Sequence, residues 1–314
     1  MKKSRNFDSA DFLPGGIIIV DKPADITSAA VVRRIKRLPG IYKVGHAGTL
    51  DPFATGVLVC TVNQGTRISR FFLHGRKKYA ATMRVGTTTD TQDHTGKILA
   101  EKPVGEISEN AIVNAFQKFT GDIEQLPPSY SALKHNGVPL YRYARNGTFI
   151  QKPARKVNIS RIEIRKIQLP DIEFDIQCSG GTYIRTICSD VGEILGCGGH
   201  LRKLDRLESS GFSRDKVIDL DTLEQLKTAG ELERFIIPMS EALKEMPVCM
   251  ADGDLQKKIS YGQTLSVQDF PGCEDTIPQE GYMKITTRDN RLLAVIHIPE
   301  NKFDYKYCCV FPYH

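Results

Sequence analysis

The amino-acid sequence predicts an α+β fold: a mixed, largely antiparallel sheet with flanking helices, followed by a small C-terminal β-rich domain. Segments 78–85 and 172–178 alternate apolar and polar residues as half-buried strands do, whereas 108–119 has the spacing of an amphipathic helix. Strands and helices are mixed without a regular β-α-β order, which favours antiparallel pairing. From about residue 248 the chain contains short apolar segments separated by glycine and proline turns, which indicates a second, smaller unit.

The chain has 314 residues, which is enough for one large domain or two unequal ones. We expect a polar N-terminal tail over 1–14, a main domain over 15–247 and the small domain over 248–314. Within the main domain, 123–152 contains adjacent prolines, several tyrosines and few apolar repeats. We interpret it as an extended surface insertion, because long connections of this kind are usually functional or disordered.

In the N-terminal half, a strand is predicted at 16–20. A helix follows from residue 28 to 38, capped by Thr27 or Ser28 and stopped by a Pro-Gly pair. The apolar run 57–60 indicates a buried strand, and 66–73 a short helix. The amphipathic helix at 108–119 has a serine cap.

In the C-terminal half, strands are predicted at 161–166 and 172–178. The period becomes helical within 179–195, and the glycines that follow end the helix. A strand of alternating basic and apolar residues is expected at 200–207. Asp221, with a glutamate three residues later, is expected to cap a short helix.

The composition excludes several classes of protein. Hydrophobic residues make up 40% and charged residues 25% of the chain, which is ordinary for a soluble globular protein. The apolar run at 17–20 is far too short to span a bilayer, and the basic N-terminus is not followed by the apolar segment of a secretory signal. The eight cysteines form no Cys-x-x-Cys pair, so we expect reduced thiols in a cytoplasmic protein and no zinc site.

The net charge of +6 is unevenly distributed. Residues 250–314 carry 7 Lys+Arg and 9 Asp+Glu, so the rest of the chain carries +8. Segment 142–166 holds eight basic residues and one acid, with aromatic residues interleaved. This pattern suits a polyanion that also offers rings for stacking, although a solvated basic surface explains it equally well.

One loop, within 44–60, places a single acid, Asp51, before a proline and between glycines, with His46 five residues earlier. Loops held by rigid strands often present catalytic groups. Taken alone, the Asp-Pro pair is better explained as a turn in which the aspartate binds its own backbone.

Other residues strengthen the catalytic interpretation, since each lies in or after a predicted strand and all could reach one face of the sheet. Asp51 is the one plausible nucleophile or base, and Arg185 could pair with it. Tyr79 and Tyr183 could form flat walls for a planar ring, and Leu204 could close the pocket. Individually, such residues are more often part of a core. The absence of a second acid at a convincing position argues against a glycosidase or another carboxylate hydrolase. The spacing in 86–96 does not fit a calcium loop, and no metal is expected there.

Several motifs, in order along the chain, resemble the TruB family of tRNA pseudouridine synthases. The resemblance covers roughly residues 13–245, and the C-terminal tail is similar, more weakly, to the PUA-type RNA-binding domain of that family. The motifs are DKP at 21–23 with Thr27-Ser28, VGHAGTLDPFATG at 44–56, Lys78-Tyr79, Gly86 with TDT at 89–91, PSYSALK at 128–134, GTYIR at 181–185 and LGCGGHL at 195–201.

The resemblance implies isomerisation of uridine 55 in the T-loop of tRNA, without cofactor or metal. Asp51 would be the nucleophile or base, Arg185 its partner, and Tyr79 the residue that stacks on the target base and takes part in proton transfer. Tyr183 and Leu204 would line the uracil pocket, and His46 would fill the space that the flipped base leaves. Lys22, in the first motif, would support the active-site loops at the substrate-binding site.

The resemblance further implies that 123–152 closes over the T-arm, and this insertion favours a stand-alone enzyme without guide RNA. We also expect the protein to be a monomer. An RNA-binding or RNA-chaperone protein that kept the fold without catalysis is the alternative. Two positions depart from the family pattern. Asp25 stands where a glycine is usual, and Asp205 stands where a basic residue is usual, which puts one phosphate contact in doubt.

Overall fold

The computed structural model describes residues 13–226, 228–300 and 305–311. Within these residues, helices and strands alternate irregularly along the chain, as predicted. The strands are β1 Gly16–Lys22, β2 Val44–His46, β3 Thr55–Val62, β4 Lys77–Val85, β5 Thr87–Thr89, β6 Ile98–Glu101, β7 Gly121–Gln125, β8 Lys134–His135, β9 Val138–Pro139, β10 Arg155–Gln168, β11 Asp171–Cys178, β12 Gly199–Ser209, β13 Phe212–Ser213, β14 Ile218–Asp219, β15 Ile237–Pro238, β16 Val248–Met250, β17 Gly281–Thr286, β18 Leu292–Ile298 and β19 Lys306–Val310. The helices are α1 Ser28–Ile35, α2 Arg70–Leu73, α3 Glu109–Gln117, α4 Leu140–Arg145, α5 Ile184–Ile194, α6 Leu220–Gln225, α7 Ala229–Glu233, α8 Met239–Ala242 and α9 Gly253–Ser260. No helix in the described part of the chain has the length and apolar character needed to cross a bilayer.

The main sheet confirms the predicted α+β class. Its strands follow the order β14-β1-β3-β12-β4-β11-β10-β7, with β2, β13 and β15 attached at the side. Most neighbours are antiparallel, whereas β1 with β14 and β3 with β12 are parallel, so the sheet is mixed. A separate four-stranded sheet, β16-β17-β18-β19, forms the small C-terminal unit.

The junction between β3 and β12 positions the functional site. These two strands pair only through Thr55 with Asp205 and Gly56 with Arg206. Gly56 has a φ of +99°, and a Cβ there would lie 2.3 Å from the Arg206 carbonyl oxygen. Glycine is therefore required at this close approach. The loop that carries Asp51 enters β3 immediately before this junction.

The two halves of the main sheet are covered differently. Helices α3 and α5 pack on one face of the β4-β11-β10 half, where Met83, Phe116 and Phe174 are buried in one core. The β1-β3 half is covered on both faces, by α1 and α6 on one side. On its other side, Val295 and Phe311 of the C-terminal unit share a core with Ile19 and Phe72. The two units are thus packed against each other through a common apolar core.

Several predicted elements differ from the observed ones. The helix expected at 66–73 is interrupted: residues 63–67 form a 3₁₀ turn and α2 follows. The 123–152 insertion is structured, since it contains the end of β7, the β8-β9 hairpin and α4. Asp219, two residues before Asp221, caps α6 by accepting from the Thr222 amide at 2.7 Å. The expected loose tail lies mostly outside the described residues, but Leu13 is buried and its amide binds the Gly40 carbonyl.

The prediction that all cysteines are reduced thiols is wrong for one pair. Cys249 of β16 and Cys273 form a disulfide, 24 residues apart in sequence. Neither belongs to a Cys-x-x-Cys motif, and their proximity depends on how the C-terminal unit folds. Most of the other cysteines are buried free thiols.

Asp25 occupies a left-handed turn, with φ of +64°, after β1. Aspartate tolerates this region better than branched residues do. We therefore expect Asp25→Gly to change the free energy of unfolding by less than about 1 kcal/mol, and Asp25→Val to lower it by about 1–2 kcal/mol. Urea denaturation of the two variants measures this difference. Equal stability of both variants would contradict the assigned backbone conformation.

Candidate active site

The loop that carries Asp51 is held on three sides. β2 pairs with β3 before the loop, with His46 opposite Cys60. The Ser28 hydroxyl, at the start of α1, exchanges hydrogen bonds with the backbone of Leu50 at 2.9 and 3.1 Å. Lys22 donates to the Pro52 carbonyl at 2.9 Å. The backbone on both sides of Asp51 is therefore fixed by groups from elsewhere in the chain.

Two guanidinium nitrogens of Arg185 contact the Asp51 carboxylate. Its Nη2 donates to Oδ1 at 3.2 Å, and its Nε lies 2.9 Å from Oδ2. The guanidinium also donates to the carbonyls of Thr91 at 2.7 Å and Tyr130 at 2.8 Å. The Arg185 side chain is 4% exposed, whereas that of Asp51 is 30% exposed. The buried Arg185 thus fixes the orientation of the Asp51 carboxylate, and part of the Asp51 side chain remains accessible to solvent.

Burial raises the pKa of Asp51 above its usual range, and the neighbouring Arg185 charge acts in the opposite direction. An acid with a raised pKa and a fixed orientation suits proton transfer or nucleophilic attack. The predicted ion pair between Asp51 and Arg185 is present in the structure.

Asp93 is a site residue that the sequence analysis missed. Its Oδ2 lies 3.5 Å from Arg185 Nη1, on the side away from solvent, and its side chain is 6% exposed. Its Oδ1 accepts from the Thr95 amide and the Thr91 hydroxyl, both at 2.9 Å. The second acid judged absent from the sequence is therefore present, but it orients the arginine. Its position within 86–96, beside the Thr89-Asp90-Thr91 motif, was the available signal.

Tyr79 and Leu204 lie diagonally across the β4-β12 pair and belong to the same core. They belong to neighbouring strands, where Leu204 is opposite Ala81 and Tyr79 is opposite Arg206. Their exposed fractions are 7% and 8%. The two side chains form an apolar wall at the sheet junction.

Tyr183 immediately precedes α5, which carries Arg185. Its backbone donates to and accepts from the Gln125 side-chain amide at 2.7 and 3.0 Å. Since Gln125 ends β7, the insertion begins next to the first residues of α5, the helix that carries Arg185. Tyr130, whose carbonyl binds Arg185, lies further along the same insertion.

His46 and Lys22 have different surroundings. His46 is half-buried, burial lowers its pKa, and its buried Nδ1 has no hydrogen-bond partner in the described structure. Lys22 is fully buried and donates to the carbonyls of Pro23, Ile26 and Pro52. The structure therefore places Lys22 beneath the loop, where it supports the backbone, and not at a surface that a substrate could touch.

A cavity of about 600 Å³ adjoins this cluster. Leu204 lines it together with Phe53, Thr55, Ala81 and His94, while Asp51, Tyr79 and Arg185 do not. The cavity leaves space next to Leu204 for part of a ligand whose neighbouring part would contact Asp51.

Asp205, the second departure from the family pattern, is part of an ion cluster at this cavity. Its carboxylate accepts from the Thr55 hydroxyl at 2.9 Å and pairs with Arg214, which also lies 3.2 Å from Asp21. Asp205 therefore holds the guanidinium of Arg214 next to the position at which the family usually has a basic residue.

Comparisons with known proteins identify the family of this chain. The model of the TruB family pseudouridylate synthase N-terminal domain matches residues 36–184, and that of the tRNA pseudouridylate synthase B C-terminal domain matches residues 185–244. The chain is similar to proteins named tRNA pseudouridine synthase B. That of Syntrophotalea carbinolica is 44% identical over 79% of this chain and 80% of the relative, and that of Geobacter sulfurreducens is 42% identical over 89% and 92%.

Among solved structures, a Cbf5-Nop10-Gar1 complex contains a chain that matches with a TM-score of 0.72 and 25% identity, covering 95% of this chain and 84% of that one. The sequence matches and the shared fold lead to the same conclusion: this chain belongs to the TruB family of pseudouridylate synthases.

Proposed function

We propose that this chain is a tRNA pseudouridine synthase that isomerises uridine 55 in the T-loop. The observation that carries the proposal is the Asp51 carboxylate, which two nitrogens of Arg185 contact and whose side chain is 30% exposed. The names of the related proteins support tRNA as the substrate.

The reaction breaks the bond between ribose C1′ and N1 and forms one between C1′ and C5. The C5 proton leaves and N1 gains a proton, so the product is an isomer and no electrons are exchanged. Asp51 acts as the nucleophile or base, and Arg185 keeps it ionised and directed at the substrate. Because a stacked base cannot reach this carboxylate, the uridine must flip out of the T-loop.

Other residues serve binding. Tyr79 stacks on the flipped base, with Tyr183 and Leu204 lining the remaining walls. His46 fills the space that the base vacates, and its lowered pKa keeps the ring neutral for stacking. We also assign residues 15–247 to the catalytic domain and, from the family resemblance, 248–314 to a PUA-type RNA-binding domain.

The basic segment 142–166 is proposed as the RNA surface. Its basic residues differ in whether they already form ion pairs with acidic side chains. Arg142, Arg145 and Lys156 are exposed and form no ion pair in the described structure. Arg155 lies at the catalytic end, 3.9 Å from the position of a Cβ on Gly181. Cations near the site that lack acidic partners are suited to phosphates.

Two basic residues of the same segment are already paired. Arg161 lies 2.8 Å from Glu163, and Arg165 lies 2.6 Å from Asp175. They serve as an internal control, since they are basic residues with carboxylate partners in the same segment.

We expect tRNA affinity to fall steeply with salt, because bound cations release counterions from the phosphates. The triple variant Arg142→Gln, Arg145→Gln, Lys156→Gln should reduce the slope of log K against log salt by about 1 per lost contact. Filter binding at several salt concentrations measures the slope. The control, Arg161→Gln with Arg165→Gln, should leave the slope close to wild type. A flat response of the wild-type protein would exclude this segment from the RNA surface.

The function itself is tested by incubating the protein with an unmodified tRNA transcript, without guide RNA or another protein, and mapping pseudouridine. Product at position 55 is expected, with the protein acting as a monomer. Binding without product at any position would favour the non-catalytic RNA-binding alternative and refute the proposal.

A further inference from the structure

Arg206 is a fully buried cation, and none of the described ion pairs includes it. It lies on β12, is 1% exposed, and is among the largest fully buried side chains. No carboxylate of the described residues lies within ion-pair distance of its guanidinium. Burying a charge is unfavourable unless polar groups replace its hydration. The structure supplies backbone carbonyls for this purpose.

Two of these carbonyls belong to the loop that carries Asp51. Arg206 donates from Nη2 to Gly48 at 3.1 Å and from Nη1 to Thr49 at 3.5 Å, and its Nε donates to Val57 at 2.6 Å. The three acceptors lie on both sides of Asp51 in sequence. One rigid guanidinium therefore ties together the entry and the exit of the loop.

Gly48 shows how closely the loop follows this side chain. It has a φ of +102°, and a Cβ there would lie 3.6 Å from both Arg206 Nη1 and Lys77 Cε. The loop backbone thus rests on two cationic side chains. Lys22 holds the carbonyl of Pro52 from the other side.

Arg206 also lies directly opposite Tyr79 in the antiparallel β4-β12 pair. It is two residues from Leu204, so both side chains share the face of β12 that borders the site. Its positive charge opposes the effect of burial, which raises the pKa of Tyr79. It adds to burial in lowering the pKa of His46.

The two lysines beneath the loop differ from Arg206 in one respect. Burial lowers the pKa of Lys22 and of Lys77 to about 8, so each loses part of its charge under mildly alkaline conditions. An arginine side chain stays protonated in proteins.

We propose that Arg206 is a positioning residue for the reaction: it fixes the Asp51 loop and the Tyr79 ring relative to each other from beneath the sheet junction. This rests on the proposed function of the site. The guanidinium never touches the substrate and acts through the groups that do. Its loss should therefore reduce the rate of the chemical step and leave RNA affinity nearly unchanged.

The test compares Arg206→Lys and Arg206→Gln with the wild-type protein in single-turnover reactions with enzyme in excess. We expect the rate constant to fall about 10-fold or more in Arg206→Lys, which loses the planar fork, and about 100-fold or more in Arg206→Gln. The dissociation constant for tRNA should stay within about threefold of wild type, since the RNA surface is elsewhere. Arg34→Gln is the control: Arg34 lies on α1, pairs with Asp221 and Glu224, and does not line the cavity beside the site.

Two readouts separate positioning from general stability. The pH profile of Arg206→Lys should keep the wild-type shape. That of Arg206→Gln should shift to higher pH, because the Arg206 charge lowers the pKa of Tyr79 and its loss raises that pKa. Hydrogen exchange should become faster in segment 44–58 of both variants and stay unchanged in β17 and β18. Melting temperatures establish that each variant is folded at the assay temperature.

Every outcome of these experiments either supports or refutes the positioning role of Arg206. Unchanged single-turnover rates, or a rate loss matched by an equal loss of RNA affinity, would overturn the proposal. If Arg206→Gln does not fold, the rate, affinity and exchange of Arg206→Lys decide. If the wild-type protein forms no pseudouridine, the proposed function fails, and unchanged exchange in 44–58 would then independently refute the positioning role.

Discussion

Asp51→Asn is expected to abolish pseudouridine formation while tRNA still binds. Asparagine has nearly the same shape and keeps one oxygen that Arg185 can bind, but it has no charge with which to attack or to accept a proton. Removing the reacting group of an enzyme typically lowers turnover by about 10⁴-fold or more. Mapping pseudouridine in an unmodified transcript, together with filter binding of the same RNA, measures both effects.

Asp221→Asn is the matched control for this prediction. Asp221 pairs with Arg34 at 2.9 Å and does not line the cavity beside the site, so activity should stay close to wild type. Substantial activity of Asp51→Asn would mean that another acid reacts. Asp93, on the other side of Arg185, would then be the first candidate.

Arg185→Met should have the second-largest effect, because it removes the charge that offsets the burial of Asp51. Burial already raises the pKa of Asp51, and loss of the guanidinium raises it further. A smaller fraction of the carboxyl is then ionised at neutral pH. We expect kcat to fall by about 10³-fold and the acidic limb of the pH-rate profile to move to higher pH, with part of the activity recovered as pH increases.

Arg185→Lys separates charge from geometry. A lysine keeps the positive charge and so should leave the acidic limb near its wild-type position. It cannot reproduce the two-nitrogen grip on Asp51 together with the bonds to Thr91 and Tyr130, so kcat should still fall by about 10²-fold. Single-turnover rates between pH 5 and 9 distinguish the variants. An unshifted acidic limb in Arg185→Met would show that the ionisation of Asp51 does not limit the reaction.

The observed strands show why much of the fold could be predicted. The alternation in β4 and β11 and the serine cap of α3 are local patterns, and each predicted the correct type of element. The interruption of the 66–73 helix and the position of α9 were missed, because neither has a strong local signal. The start of α6 was misplaced by two residues, since several aspartates there are suitable caps.

Parts of the site could also be predicted from the sequence. The pairing of Asp51 with Arg185 follows from chemical type and motif order, and the structure brings the two groups together. Asp25 stands where the family usually has a glycine, and the structure has there the left-handed turn that glycine favours. Asp93 and Arg206 were missed, although the alternation of β12 places Arg206 on the same buried face as Leu204.

Local periodicity in the sequence predicted the α+β class and the order of the main elements, and the resemblance to the TruB family pointed to Asp51 as the acid and Arg185 as its partner. Tertiary structure alone decided that Asp93 lies behind Arg185, that Arg206 supports the Asp51 loop, and that Cys249 is bonded to Cys273. Each of these contacts joins residues far apart in the chain. The first two contacts depend on strand order in the main sheet and on the two-residue pairing of β3 with β12, and the disulfide depends on how the C-terminal unit folds.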